Sequence, residues 1–132
     1  MGMSGTRKSS RLRPQKVNLS QKFGLFRDFW SPKIVGELND SYVKLVKLKG
    51  EFVWHKHAKE DELFLVTKGQ LTIKLRGKHV DLTKGEFFVV PKGIEHKPVA
   101  VREAQVVLIE RKTTRNTGQI KNERTVSSPE RI

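Results

Sequence analysis

Five glycines, Gly50, Gly69, Gly77, Gly85 and Gly93, cut the middle of this chain into apolar runs too short to be helices. Between and before them lie Lys33–Leu38, Tyr42–Leu48, Glu51–His57, Leu63–Thr67, Gln70–Arg76, His79–Leu82, Glu86–Val90 and Lys97–Ile109. Leu71, Ile73 and Leu75 alternate with Gln70, Thr72, Lys74 and Arg76, the period of a strand with one buried face. Asn39-Asp40 separates the first two runs as a hairpin turn would. About eight short strands at this spacing predict an all-β sandwich or barrel.

The flanks read differently. Residues 1–16 are basic and nearly devoid of apolar side chains, the texture of a disordered tail. Residues 17–32 predict a short helix packed on the β-domain. Asn18 caps it, Gln21 follows three residues on, and Leu19, Phe23, Phe26, Phe29 and Trp30 recur at helical spacing. Ser31-Pro32 ends it, because the residue before proline is driven out of the helical region. The folded domain is expected over 33–112, with 113–132 a polar, loosely packed C-terminal extension whose Asn116-Thr117-Gly118 reads as a turn.

A chain of 132 residues has room for one modest core, and an apolar fraction of 36% with seven Phe suffices to build it. With no cysteine, disulfides, thiolate catalysis and iron–sulfur clusters are excluded. The net charge of +13 concentrates at the ends: residues 1–16 hold five basic and no acidic groups. No aromatic residues interleave those charges as a base-stacking platform requires, so nucleic acid is not expected as the main partner. No apolar run reaches bilayer-spanning length and the first twenty residues lack a secretory apolar region. A cytoplasmic location without a membrane partner is the expectation.

Three of the four histidines fall at positions that suggest chemistry. His55 and His57 are two apart, which on a strand points both imidazoles to one face together with Val53. Glu62 follows a four-residue turn and shares a face with Phe64 and Val66. A hairpin of this kind can converge two imidazoles and a carboxylate on one cation; an ordinary polar strand surface is the alternative. Downstream, Pro91 and Gly93 form a φ-restricted corner that could deliver His96 to the same point. Glu60 and Asp61 read as solvated turn residues, and His79 as a surface histidine.

These residues resemble the cupin superfamily. The first cupin motif, G-x5-H-x-H-x3,4-E-x6-G, is matched by His55, His57, Glu62 and Gly69, with Gly50 one residue closer than the pattern asks. The second, G-x5-P-x-G-x2-H-x3-N, is matched by Gly85, Pro91, Gly93 and His96, with Ala100 in place of the final Asn. The likeness spans Lys33–Glu110 and is closest to small single-domain cupins of the mannose-6-phosphate-isomerase-like (RmlC-like) type. It implies a jelly-roll β-barrel holding one divalent transition metal (Fe, Mn, Ni, Zn, Co or Cu) through His55, His57, Glu62 and His96. It also implies a homodimer and a small oxygenated molecule as substrate or ligand. Dioxygenase-like or sugar-isomerase-like turnover is one expectation and a non-catalytic binding module the alternative; no catalytic residue is assigned.

Overall fold

Strand formation follows the glycine punctuation. The computed structural model describes residues 14–118 and 120–132. It contains one helix, α1 (Leu19–Phe23), and the strands β1 (Lys33–Leu38), β2 (Ser41–Glu51), β3 (Glu62–Lys68), β4 (Gln70–Leu75), β5 (Lys78–Thr83), β6 (Phe87–Val90), β7 (His96–Arg111) and β8 (Glu130–Arg131). Most turns between strands need a residue of positive φ. Gly69, Gly77 and Gly85 supply it at +83°, +92° and +87°, and Asn39 supplies +55° in the β1–β2 hairpin.

The long strand β7 organises the molecule. Along one edge it pairs with β2, from Ser41↔Arg111 to Glu51↔Val99. Along the other edge its first residues pair with β4, through Leu75↔His96, and its last with β3, through Glu62↔Glu110. Two sheets therefore diverge from β7, one continuing to β5 and the other through β3 to β6, as in a jelly roll. Among the described residues the hydrogen-bonded ladder does not close into a ring: β5 pairs only with β4, and β6 only with β3.

Side-chain alternation sorts the apolar residues into two layers. Val46, Leu48, Phe64, Val66, Ile73, Val106 and Leu108 fill the interior between the sheets. Their neighbours Leu45 and Val107, on the opposite face, pack under Phe23 and Phe26 from the N-terminal segment. On β6, Val90 is buried while Phe87 and Val89 are exposed, which fixes a parity that alternation alone leaves open.

Three expectations are corrected. The helix ends at Gly24, well before Ser31: the Asn18 cap forms, its Oδ1 accepting from the Gln21 N–H at 2.9 Å, but the Gly24 N–H already closes the last turn on the Ser20 and Gln21 carbonyls. Phe26, Phe29 and Trp30 lie beyond it, and Trp30 takes a φ of +59°. The strand expected over Glu51–His57 is a loop after Glu51, tied to β7 by the Phe52 N–H on the Pro98 carbonyl at 3.0 Å and by the bridge His55↔His96. A register slip between Leu48 and Gly50 bulges β2 just before its last paired residues, Gly50 and Glu51.

The C-terminal segment, finally, is packed rather than loose. Thr114 and Thr117 are buried, and Asn116 receives the Val126 N–H while donating to the Arg124 carbonyl. β8 pairs parallel with β1, using strand-edge groups that no polar linker would be expected to seek. For residues 1–13, the expectation of a disordered basic tail lies outside the described residues.

Candidate metal centre

The four residues singled out by spacing meet in the fold. His55 is held by two backbone bonds to His96, N–H to carbonyl in each direction at 3.0 and 2.8 Å. His57 follows in the same loop, and its carbonyl accepts from the Gly93 N–H at 2.8 Å. Glu62 is the first residue of β3 and His96 the first of β7. Gly93, at φ +82°, makes the corner that brings β6 round to β7, and the Asp61 carboxylate pins that corner by accepting from the Lys92 N–H at 2.8 Å. The two turns are thus tied together by the residues between the ligand-type side chains.

All four side chains are buried, and one nitrogen or oxygen from each lies within 4.8 Å of the others, a group that could hold a metal ion. Glu62 Oε1 stands 3.2 Å from His57 Nε2 and 3.3 Å from His96 Nε2. Yet His57 Nε2, His96 Nε2 and Glu62 Oε1 make no hydrogen bond among the described residues. Buried polar atoms left this way are costly and call for an explanation, which a cation among them supplies. His55 and His96 each point Nδ1 at a backbone carbonyl, Val53 and Ile94 respectively, at 2.9 Å. That contact places the proton on Nδ1 and leaves the Nε2 lone pair for a metal.

The protonation states agree. Burial, with the nearby His96, lowers the His55 pKa to about 4, so the ring is neutral at pH 7. Burial works against ionising Glu62, but hydrogen bonding from the Glu110 carboxyl holds it well below the usual carboxylate range. Glu110 moves the other way, pushed well up by burial and by the charge on Glu62. Lys44 Nζ lies 2.8 Å from Glu110 Oε2, and both side chains are buried.

Lys44 and Glu110 are part of the site that motif reasoning missed. Parity offered a signal: Lys44 shares a face with Val46 and Leu48, and Glu110 with Val106 and Leu108, so both charges point inward. A small cavity of about 30 Å³, room for a water or two, lies against His55, Glu62, Glu110, Trp30, Phe52 and Asn116. Trp30 stacks on Phe52 with ring centroids 4.8 Å apart, and the Arg124 guanidinium lies over the two rings at 5.6 and 5.9 Å. His79 is exposed on β5, away from the site, and Glu60 and Asp61 serve as loop clasps, Glu60 accepting from the Thr113 hydroxyl at 2.8 Å.

Comparison with known proteins bears on the family. The family described as Cupin domain matches residues 43–110. A crystal structure of a cupin-2 domain containing protein from Shewanella frigidimarina is 48% identical, with a TM-score of 0.72 over 73% of this chain and 94% of that one. A Neisseria meningitidis protein of known structure is 30% identical, with a TM-score of 0.68 over 74% of this chain and 99% of that one. Among curated proteins, the uncharacterized protein YdbB of Bacillus subtilis is 33% identical over 87 residues, 58% of this chain and 77% of its own length.

Proposed function

The chain belongs to the cupin-domain family, and from that premise we propose that it binds one divalent transition metal through His55, His57, Glu62 and His96. One observation carries this reading: three buried ligand-type atoms, His57 Nε2, His96 Nε2 and Glu62 Oε1, face one another without hydrogen-bond partners. Three imidazoles and a carboxylate suit Fe, Mn, Ni, Zn, Co or Cu. Such an ion supplies Lewis acidity or a more acidic bound water. The protein contributes imidazoles oriented by the Val53 and Ile94 carbonyls, an ionised Glu62, and a cavity lined by Trp30, Phe52 and Asn116.

A cavity of about 30 Å³ beside His55 and Glu62 admits water-sized or dioxygen-sized molecules, and His57 also borders a wider, open pocket. A cytoplasmic homodimer acting on, or binding, a small oxygenated molecule completes the reading, with light scattering the check on assembly. No helix among the described residues is long and apolar enough to cross a membrane.

Elemental analysis of protein purified without added metal, beside His57→Ala, tests the central point. About one equivalent of a first-row metal, lost in the variant, is expected. No metal in the wild-type protein, and none taken up on reconstitution, overturns it.

A further inference from the structure

A second, open pocket of about 440 Å³ lies behind the candidate metal centre, lined by His57, Lys59, Glu60, Thr113, Arg115 and Gly118. It is built from two segments locked together: a Cβ on Gly118 would collide with the Lys56 carbonyl oxygen, so the chain at 118 is seated directly on the chain at 56. Among the described residues Arg115 is oriented by one hydrogen bond, its Nε donating to the Gly118 carbonyl at 2.7 Å. No carboxylate pairs with its guanidinium among the described residues, and none pairs with Lys59. The Glu60 carboxylate is engaged by the Thr113 hydroxyl at 2.8 Å.

His57 differs from its two partners in the cluster. The Nδ1 atoms of His55 and His96 each meet a backbone carbonyl at 2.9 Å, but His57 Nδ1 has no such partner among the described residues. Metal-ligating imidazoles usually give that second N–H to a carboxylate, a carbonyl or water. We propose that the pocket is an oxyanion site, in which a carboxylate or phosphate group is held by the Arg115 guanidinium and the Lys59 ammonium and accepts the Nδ1–H of His57. A guanidinium with free Nη groups is the side chain best suited to a planar or tetrahedral oxyanion. Binding of the anion stands independently of any metal; its role as the outer partner of a metal-bound His57 rests on the reading above.

The test is a titration of the metal-free full chain with inorganic phosphate and, separately, with acetate. Affinity is read by calorimetry and the His57 ring nitrogens by long-range ¹H–¹⁵N NMR. A saturable shift of the His57 nitrogens is expected, with binding weakened at least tenfold in Arg115→Gln and at least threefold in Lys59→Gln. The exposed Lys59 position carries the test should Arg115→Gln misfold. Response to phosphate alone assigns a phosphorylated ligand, and response to acetate a carboxylate. Unmoved His57 signals with both anions, or wild-type affinity in both variants, overturn the proposal. Because the titration uses metal-free protein, a chain that takes up no metal would sink the metal reading and leave this result intact.

Discussion

Glu62 and Glu110 sit directly opposite each other across the β3–β7 ladder, both buried, with their carboxyls in one interior space. Two carboxylates cannot both be ionised there at low cost. The structure divides the roles: Glu62 keeps its charge beside the imidazoles, and Glu110 is pushed toward the neutral acid, with the Lys44 ammonium at 2.8 Å opposing that push. Glu110→Gln, an isostere of the protonated acid, is therefore expected to cost about 1 kcal/mol or less at pH 7. Lys44→Met leaves a neutral Glu110 without the Nζ donor and should cost about 1–3 kcal/mol. Urea unfolding measures both variants, and a cost of about 3–5 kcal/mol for Glu110→Gln would refute the division of charge.

The same pair sets a pH dependence. Glu110 has a raised folded pKa, so its contribution is fully present below the unfolded value of 4.5 and is lost as pH rises through the folded pKa. Wild-type protein should then lose stability relative to Glu110→Gln as pH is raised above about 4.5. A constant difference across the range would show that Glu110 titrates normally.

His55 acts at acid pH in the metal-free protein. Its pKa falls from 6.5 to about 4, so the unfolded chain takes up its proton first and stability declines between those values as pH drops. The loss is about 3 kcal/mol over that window, from the roughly 1.4 kcal/mol per unit of linkage. His55→Gln should flatten this part of the stability profile; a profile unchanged by the substitution would contradict the burial of a neutral ring.

Chelation gives the converse test. If the ion binds only the folded chain, a concentration a hundred times Kd adds about 2.7 kcal/mol of stability. For a chain of 132 residues that is a rise in Tm of about 10 °C. Differential scanning calorimetry with a first-row metal and then with a chelator should show the rise and its reversal, and neither in Glu62→Ala.

Gly118 tests the seating of the C-terminal segment. It has a φ of +66°, and an added Cβ would strike the Lys56 carbonyl, so Gly118→Ala should cost about 2 kcal/mol or more. Since Lys56 lies between His55 and His57, metal affinity should fall along with stability. An alanine variant as stable as wild type would mean that the segment is not held against this loop.

The ligand-type residues were legible because they are encoded locally. A turn glycine, a Pro-x-Gly corner and fixed short spacings determine where His55, His57, Glu62 and His96 leave the chain, and few other arrangements satisfy all of those constraints together. Strand alternation, however, is not what pairs His55 with His57: they meet through a loop tied to His96 and Gly93. Most strand positions were legible for a similar reason, since alternation and glycine breaks are properties of neighbouring residues.

What only the tertiary structure decided depends on residues far apart in the chain. Lys44 and Glu110 are 66 positions apart, and only the pairing of β2 with β7 joins them. The early end of α1 turns on where Phe23 and Phe26 find cover, on the outer face made by Leu45 and Val107. The C-terminal segment reads as a polar extension because its own side chains bury little area. It is ordered by partners elsewhere, the free edge of β1, the Lys56 carbonyl and the Trp30–Phe52 stack, and local composition carries no record of them.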